Sequence, residues 1–374
     1  MRTLLVLLLC LAQLLLLGGR NGVQANFREV EELLVLQTMG LDRTPGGLRL
    51  SLASSGGNAG APLRLEATGA GIGAALERMR ESSGEEELFC AHVKRLLLGE
   101  KAAEAGVQEA LAYVSGAPEL RLDLPVYVLR DSEARDAVLG VGDGEKGVCD
   151  ALDAVERSAK KRGDLILASA ADLLQSEARH GSALVCALSL RPSSERGEEE
   201  LLSLVPDGYA VLRGGKLCRY LTAEQAVAVG ILKSEAGLST LTLRIKGGSL
   251  AEVELLGGRS RVEPVLGEDG SLAGLRVHAQ LRAALLETQG AAGRGGERDM
   301  DALTAALEQE LAARLSSVLQ VSKELKADFL GLSSLLPAEL VGPSEADFAQ
   351  RLPELSLEIS VGARLSHDSD KRGN

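Results

Sequence analysis

The sequence predicts an α+β chain of mixed α/β character: an N-terminal α/β module, then an α+β module with an antiparallel-type sheet packed under a long helix. Three observations carry the prediction. Extended and helical patterns alternate as far as Leu190. Gly214-Gly215 separates two strand-like runs, the signature of a two-residue hairpin. Leu303, Leu307, Leu311, Leu315 and Val318 form one apolar stripe at helical spacing.

The elements follow in order. Residues 32–41 and 48–53 form a strand pair joined through a turn that contains Pro45-Gly46. A helix is expected near 72–81, a strand over 93–98, a helix over 101–114 and a strand over 122–129. Residues 147–161 are again helical, and 183–190 close the module as a buried strand. In the second half, 209–213 and 216–220 flank the glycine pair. Thr222 with Gln225 three residues on makes a capping box that opens a helix to about Lys233. Leu241, Leu243 and Ile245 alternate with polar residues. So do Leu275, Val277, Ala279, Leu281 and Ala283, and so do alternate positions of 355–365; each set makes a strand with one buried face. Polar breaks lie at 54–60, 192–200 and 289–296. The second of them sets the expected organisation: a leader at 1–25, module one at 26–191, a linker at 192–205, module two at 206–367 and a polar tail at 368–374.

The N-terminus sets the compartment. Met1-Arg2-Thr3 is positive, and residues 4–17 are apolar apart from Gln13, a run shorter than the roughly 20 residues of a membrane span. Val23 and Ala25 then stand at −3 and −1 of a signal-peptide cleavage site between Ala25 and Asn26. Arg2 and Arg20 leave with the leader, which takes the net charge from −12 to −14.

Composition excludes more than it assigns. Of 374 residues, 45% are hydrophobic and 25% charged, the balance of a core-forming chain. Aromatics are only 2%, with no Trp, which argues against sugar stacking and single-strand nucleic-acid binding. The acidic balance speaks against nucleic acid again. Cys10 leaves with the leader, and Cys90, Cys149, Cys186 and Cys218 lack C-x-x-C spacing. Two disulfides would suit an exported chain, yet Cys186 sits in a buried-strand pattern where it acts as a small hydrophobe. Free buried thiols are the expectation.

The candidate chemistry is mostly decoy. Residues 69–74 fit G-x-G-x-x-A, but the strand before them alternates with charge instead of running apolar, so a Gly-rich helix start is expected rather than a dinucleotide site. Residues 142–147 fit G-x-G-x-x-G with Asp143 and Glu145 where phosphate would sit, and read as a solvated loop. His92, His180, His278 and His367 make no H-E-x-x-H arrangement. Cys90 and His92, two apart, could share a face if extended, but adjacent apolar residues favour a structural histidine. No G-x-S-x-G elbow is present, and Glu85–Glu87 and Glu198–Glu200 read as solvated charge. No catalytic residue, cofactor or metal is expected.

Several short motifs stand in a recognisable order. Arg28-Glu29 with Leu33 precedes Gly40-Leu41-Asp42, and residues 88–92 lead to Leu98-Gly99-Glu100. Ala105-Gly106-Val107 and Pro118-Glu119-Leu120-Arg121 follow, then 208–212 with 217–221, and then Lys326-Ala327-Asp328-Phe329-Leu330-Gly331. This order resembles the Ger(x)C family, the C subunits of nutrient germinant receptors in endospore-forming bacteria, over about 28–365. The resemblance implies a set of α/β domains without catalytic residues, beside integral-membrane A and B subunits at the outer face of the inner spore membrane. It implies a role in nutrient-triggered germination. Members carry a lipidated Cys near the start of the mature chain; Gln24 stands about there, so no lipidation site is assigned. The alternative is a secreted solute-binding protein or divergent envelope protein unrelated to germination.

Overall fold

The computed structural model describes residues 33–55, 62–83, 87–142, 145–193, 201–235, 237–244, 250–289 and 297–367. The leader, Gln24, the Ala25/Asn26 site, Ile245 and the tail at 368–374 lie outside them.

Apolar residues on both faces of short strands call for cover on both sides, and the first module supplies it. Its elements are β1 (Leu33–Val35), β2 (Thr38–Thr44), β3 (Gly47–Ala53), β4 (Arg64–Gly69), α1 (Ile72–Ser82), β5 (Glu87–Phe89) and β6 (Arg95–Leu98). There follow α2 (Glu100–Ala105), α3 (Gln108–Gly116), β7 (Val126–Leu129), α4 (Ala134–Gly140), α5 (Val148–Arg162), α6 (Ala170–His180) and β8 (Ser182–Pro192). β9 (Leu202–Arg213) and β10 (Lys216–Tyr220) complete an eight-stranded sheet in the order β4-β3-β2-β6-β7-β8-β9-β10. Strands β2, β6, β7 and β8 run parallel, and the outer strands are antiparallel. Successive residues alternate between two cores. Leu96, Leu98, Val126 and Val128 pack with α1, α2, α3 and α6. Leu97, Tyr127 and Leu129 pack with α4 and α5 on the opposite face.

The second module holds α7 (Ala223–Leu232), β11 (Ser239–Arg244), β12 (Leu250–Leu266), β13 (Leu272–Gln289), α8 (Glu297–Leu325), α9 (Ala338–Val341), α10 (Glu345–Arg351) and β14 (Ser356–His367). Its sheet order is β11-β12-β13-β14, antiparallel except for the last pair. A parallel pair needs a long crossover, and the 29 residues of α8 supply one. The Leu303–Val318 stripe lies fully buried against Leu275, Val277, Ala279 and Leu281, as the periodicities require. The capping box is formed, with Thr222 Oγ1 accepting from Gln225 N at 3.3 Å and Gln225 Oε1 accepting from Thr222 N at 3.0 Å. Thr222→Ala should cost about 1 kcal/mol, read as a lower urea midpoint at unchanged slope.

Three expectations are corrected. The helix expected over 101–114 is two helices, because Gly106 takes φ +134 and the Val107 amide turns to the Gly215 carbonyl at 2.8 Å. The linker expected at 192–205 is strand at both of its ends, at Pro192 and over 202–205. Pro192 pairs with Leu202 and Leu190 with Leu204, so β9 joins the first sheet and buries Ala210, Val211 and Leu212 there. Residues 90–92 form a single 3-10 turn, so Cys90 is buried while His92 is exposed, and the two do not share a face.

Candidate functional site

The short motifs converge on two joints. The first lies at the carboxyl ends of the parallel strands, where open α/β sheets place their functional loops. Asp42, on β2, is 2% exposed and accepts from the Ala134 amide at 2.7 Å and the Arg135 amide at 2.8 Å. It thereby covers the N-terminal amides of α4, where a carboxylate is favoured. Burial pushes the Asp42 carboxyl above its ordinary range, against the pull of those two donors. Gly99 makes room for it: a Cβ there would stand 1.9 Å from Asp42 Oδ1. Glu100, the next residue, accepts from the Asp131 amide at 2.7 Å. Arg130 lies over the Tyr220 ring at 4.8 Å and reaches Asp207, which also accepts from Ser189 Oγ at 2.6 Å. Asp42, Glu100, Asp131 and Glu133 border a cleft of about 410 Å³. Asp42 and Glu100 bind backbone amides of their own fold, so what they do is pin the 130–136 loop.

The second joint is the seam between the modules. Arg162, at the end of α5, and Leu238, after α7, exchange bonds of 2.8 Å across it. Beside them is Tyr209 of β9, which accepts from the Ile166 amide of its own module at 2.9 Å. Arg219 pairs with Glu324 of α8 at 2.8 Å. Deeper in the seam, Asp328 is fully buried and accepts from the Leu332 amide at 2.7 Å, the Ser333 amide at 2.9 Å and Ser333 Oγ at 2.5 Å. His180, the last residue of α6, brings Nδ1 to 3.2 Å from Ser333 Oγ and 3.0 Å from Glu345 Oε2. Serine, imidazole and carboxylate suggest a nucleophilic triad, but the geometry is wrong for one. A relay uses both ring nitrogens, one toward the hydroxyl and one toward the acid. Here the hydroxyl and both acids face Nδ1 alone, and Ser333 is 2% exposed.

Other candidates fall away. Burial pushes the Cys90 thiol up to about 11, the reverse of an activated nucleophile, and His92 only stacks near Phe89 at 5.5 Å. His278 bonds Ser360 across β13 and β14 at 2.5 Å. Cys90, Cys149 and Cys186 are free and buried, as expected; Cys218 is free but exposed, at a bulge of β10. Gly69 belongs to a tight strand-to-helix turn, where a Cβ would lie 2.4 Å from the Ala75 amide. Residues 143–144, Glu85, Glu86 and Glu198–Glu200 lie outside the described residues. Among the described residues, no cluster of three or more His, Cys, Asp or Glu side chains could hold a metal ion. None of the described helices is long and apolar enough to cross a membrane.

Arg95 and α6 are among the features that the sequence did not announce. Arg95, 2% exposed, is held by Glu156 at 2.6 Å and by Asp153, with Tyr127 donating to Glu156 at 3.1 Å. The helix α6, which delivers His180, was signalled by a Ser169–Asp172 capping box and by Gly181 in the left-handed conformation after its end.

The family model described as "Spore germination protein N-terminal domain" matches residues 26–184, and that described as "Spore germination B3/ GerAC like, C-terminal" matches 207–367. A search of curated proteins by sequence gave no match. Among solved structures, one titled "Crystal Structure of the GerBC protein" is similar, with 15% identity and a TM-score of 0.52, over 87% of this chain and 96% of that one. At that identity the likeness concerns the fold. With both family models met in order on either side of the β8–β9 connection, and a known structure of that kind sharing the fold, the chain belongs to the Ger(x)C family of spore germination proteins.

Proposed function

We propose that the protein is a non-enzymatic, extracytoplasmic subunit of a germinant receptor. It works through protein contacts beside integral-membrane A and B subunits, at the outer face of the inner spore membrane. The match of both family halves, in order, supports this most directly. The use of Asp42, Glu100 and Asp328 on backbone amides of the chain's own loops fits an assembly role. The leader supports export, and with Gln24 where relatives carry a lipidated Cys, retention falls to the partner subunits or to an uncleaved N-terminus.

The test combines a clean deletion with fractionation of the tagged protein. Deletion in a strain lacking a paralogue should abolish nutrient-triggered germination. The mature chain should carry an intact mass starting at Asn26 and should leave the membrane fraction when the A and B subunits are removed. Normal germination in the deletion strain, or a soluble mature chain while both subunits are present, would overturn the proposal.

A further inference from the structure

We propose that the seam between the two modules is a proton-sensitive joint, tightened when the His180 imidazole is charged. The His180 side chain is 10% exposed, Asp328 is 0% and Glu345 is 29%. His180 comes from the first module, at the end of α6; Asp328, Ser333 and Glu345 belong to the second, on the turn after α8 and on α10.

The hydrogen-bond pattern decides where the protons sit. Ser333 Oγ gives its proton to Asp328 Oδ2 at 2.5 Å, so toward His180 it can only accept. Glu345 Oε2, at 3.0 Å from Nδ1, also accepts. Nδ1 therefore carries hydrogen whether or not the ring is charged. A second proton changes the charge rather than the bonds: it places a cation 3.7 Å from Asp328 Oδ2 and 3.0 Å from Glu345 Oε2. Asp328 is sealed from solvent, and burial raises its carboxyl above the ordinary range despite the Ser333 and Leu332 donors. A neighbouring cation acts strongly in such surroundings.

The other described residues nearby do not supply that cation. On α6, Glu177 is turned to the Gly215 amide at 2.9 Å, and Arg179 is exposed. Across the β8–β9 pair, Ser182 stands opposite Arg213, which is also exposed. On α10, Arg351 is bonded to the Leu340 and Val341 carbonyls. The joint has a mechanical consequence as well. Asp172, Gln175 and Ser176 of α6 and Phe329, next to Asp328, line one cleft of about 530 Å³ between the modules. His180 fastens these walls to each other.

The sign follows from linkage: a proton that favours the closed seam stabilises at acid pH, and the benefit is lost as pH rises. The test is the melting temperature of the mature chain and of His180→Asn from pH 5.5 to 8.5. Asn keeps a donor near the Nδ1 position but does not titrate. The wild type should melt several degrees above the variant at pH 5.5, and the gap should close by pH 8.5. A gap that is constant, or that grows with pH, overturns the proposal. Glu345→Gln, at the rim of the seam, keeps the question open to test if the Asn variant fails to fold. It should remove a good part of the wild-type pH slope, and an unchanged slope would overturn the proposal equally.

Discussion

Gly99→Ala should destabilise the protein by about 3 kcal/mol or more, although it adds one methyl group. That carbon would stand 1.9 Å from Asp42 Oδ1 and 3.1 Å from the Ala134 amide, inside a packed joint with nowhere to yield. The carboxylate would have to leave the amides of Ala134 and Arg135, and those buried donors would lose their partner at about 1–3 kcal/mol each. Asp42→Ala removes the same partner directly and should cost a similar amount. The double variant should therefore be little worse than either single one, because both changes break the same bonds. Urea denaturation of the four proteins gives the cycle. Full additivity would mean that Gly99 matters for some reason other than its room for Asp42.

Leu311→Ala should cost about 2–5 kcal/mol, with the second module melting first. Leu311 is fully buried in the middle of the α8 stripe, between Leu307 and Leu315, and the sheet beneath offers Leu275, Val277 and Ala279 on β13, which is paired on both sides. Neither helix nor sheet can close the gap without moving the other, so the cavity would persist. Leu266→Ala is the matched control: the same atoms are deleted from a side chain that is 52% exposed, and the change should fall within about 0.5 kcal/mol. Equal losses at the two sites would show that α8 does not pack on the sheet as described.

How much of this was legible depended on regularity. The α8 stripe repeats over five positions and β13 alternates without interruption, so one periodic face revealed each. β12 was hidden because its pattern breaks at Leu255–Gly257, where a bulge shifts the pairing with β13. α6 was hidden because only Ala170 and Leu173 of its 11 residues are buried, too few for a stripe, although its capping residues were in view. The motif residues Asp42, Gly99 and Asp328 could be noticed through the family resemblance, but their work could not. The amides bound by Asp42 lie 92 and 93 residues away, and Ser333 is 153 residues from His180. Spacing along the chain carries no trace of such contacts. The β8–β9 junction misled for a related reason: the polar, charged sequence between the two strands has the composition of a linker.

The continuity of the first sheet bears on how such proteins can be cut and recombined. A fragment starting at 207, where the second family model begins, would carry β9 from Asp207 with its partner β10, but without β8, the strand on its other side. Ala210, Val211 and Leu212, sealed inside the sheet of the intact chain, would become a bare sticky edge. The complementary fragment ending at 184 would lose most of β8. Chimaeras between paralogues are better joined at Leu221-Thr222, between β10 and α7, where the chain leaves one sheet and has not yet begun the next helix. The unit that exchanges cleanly is thus 33–221, a segment longer than the family's own division of the sequence.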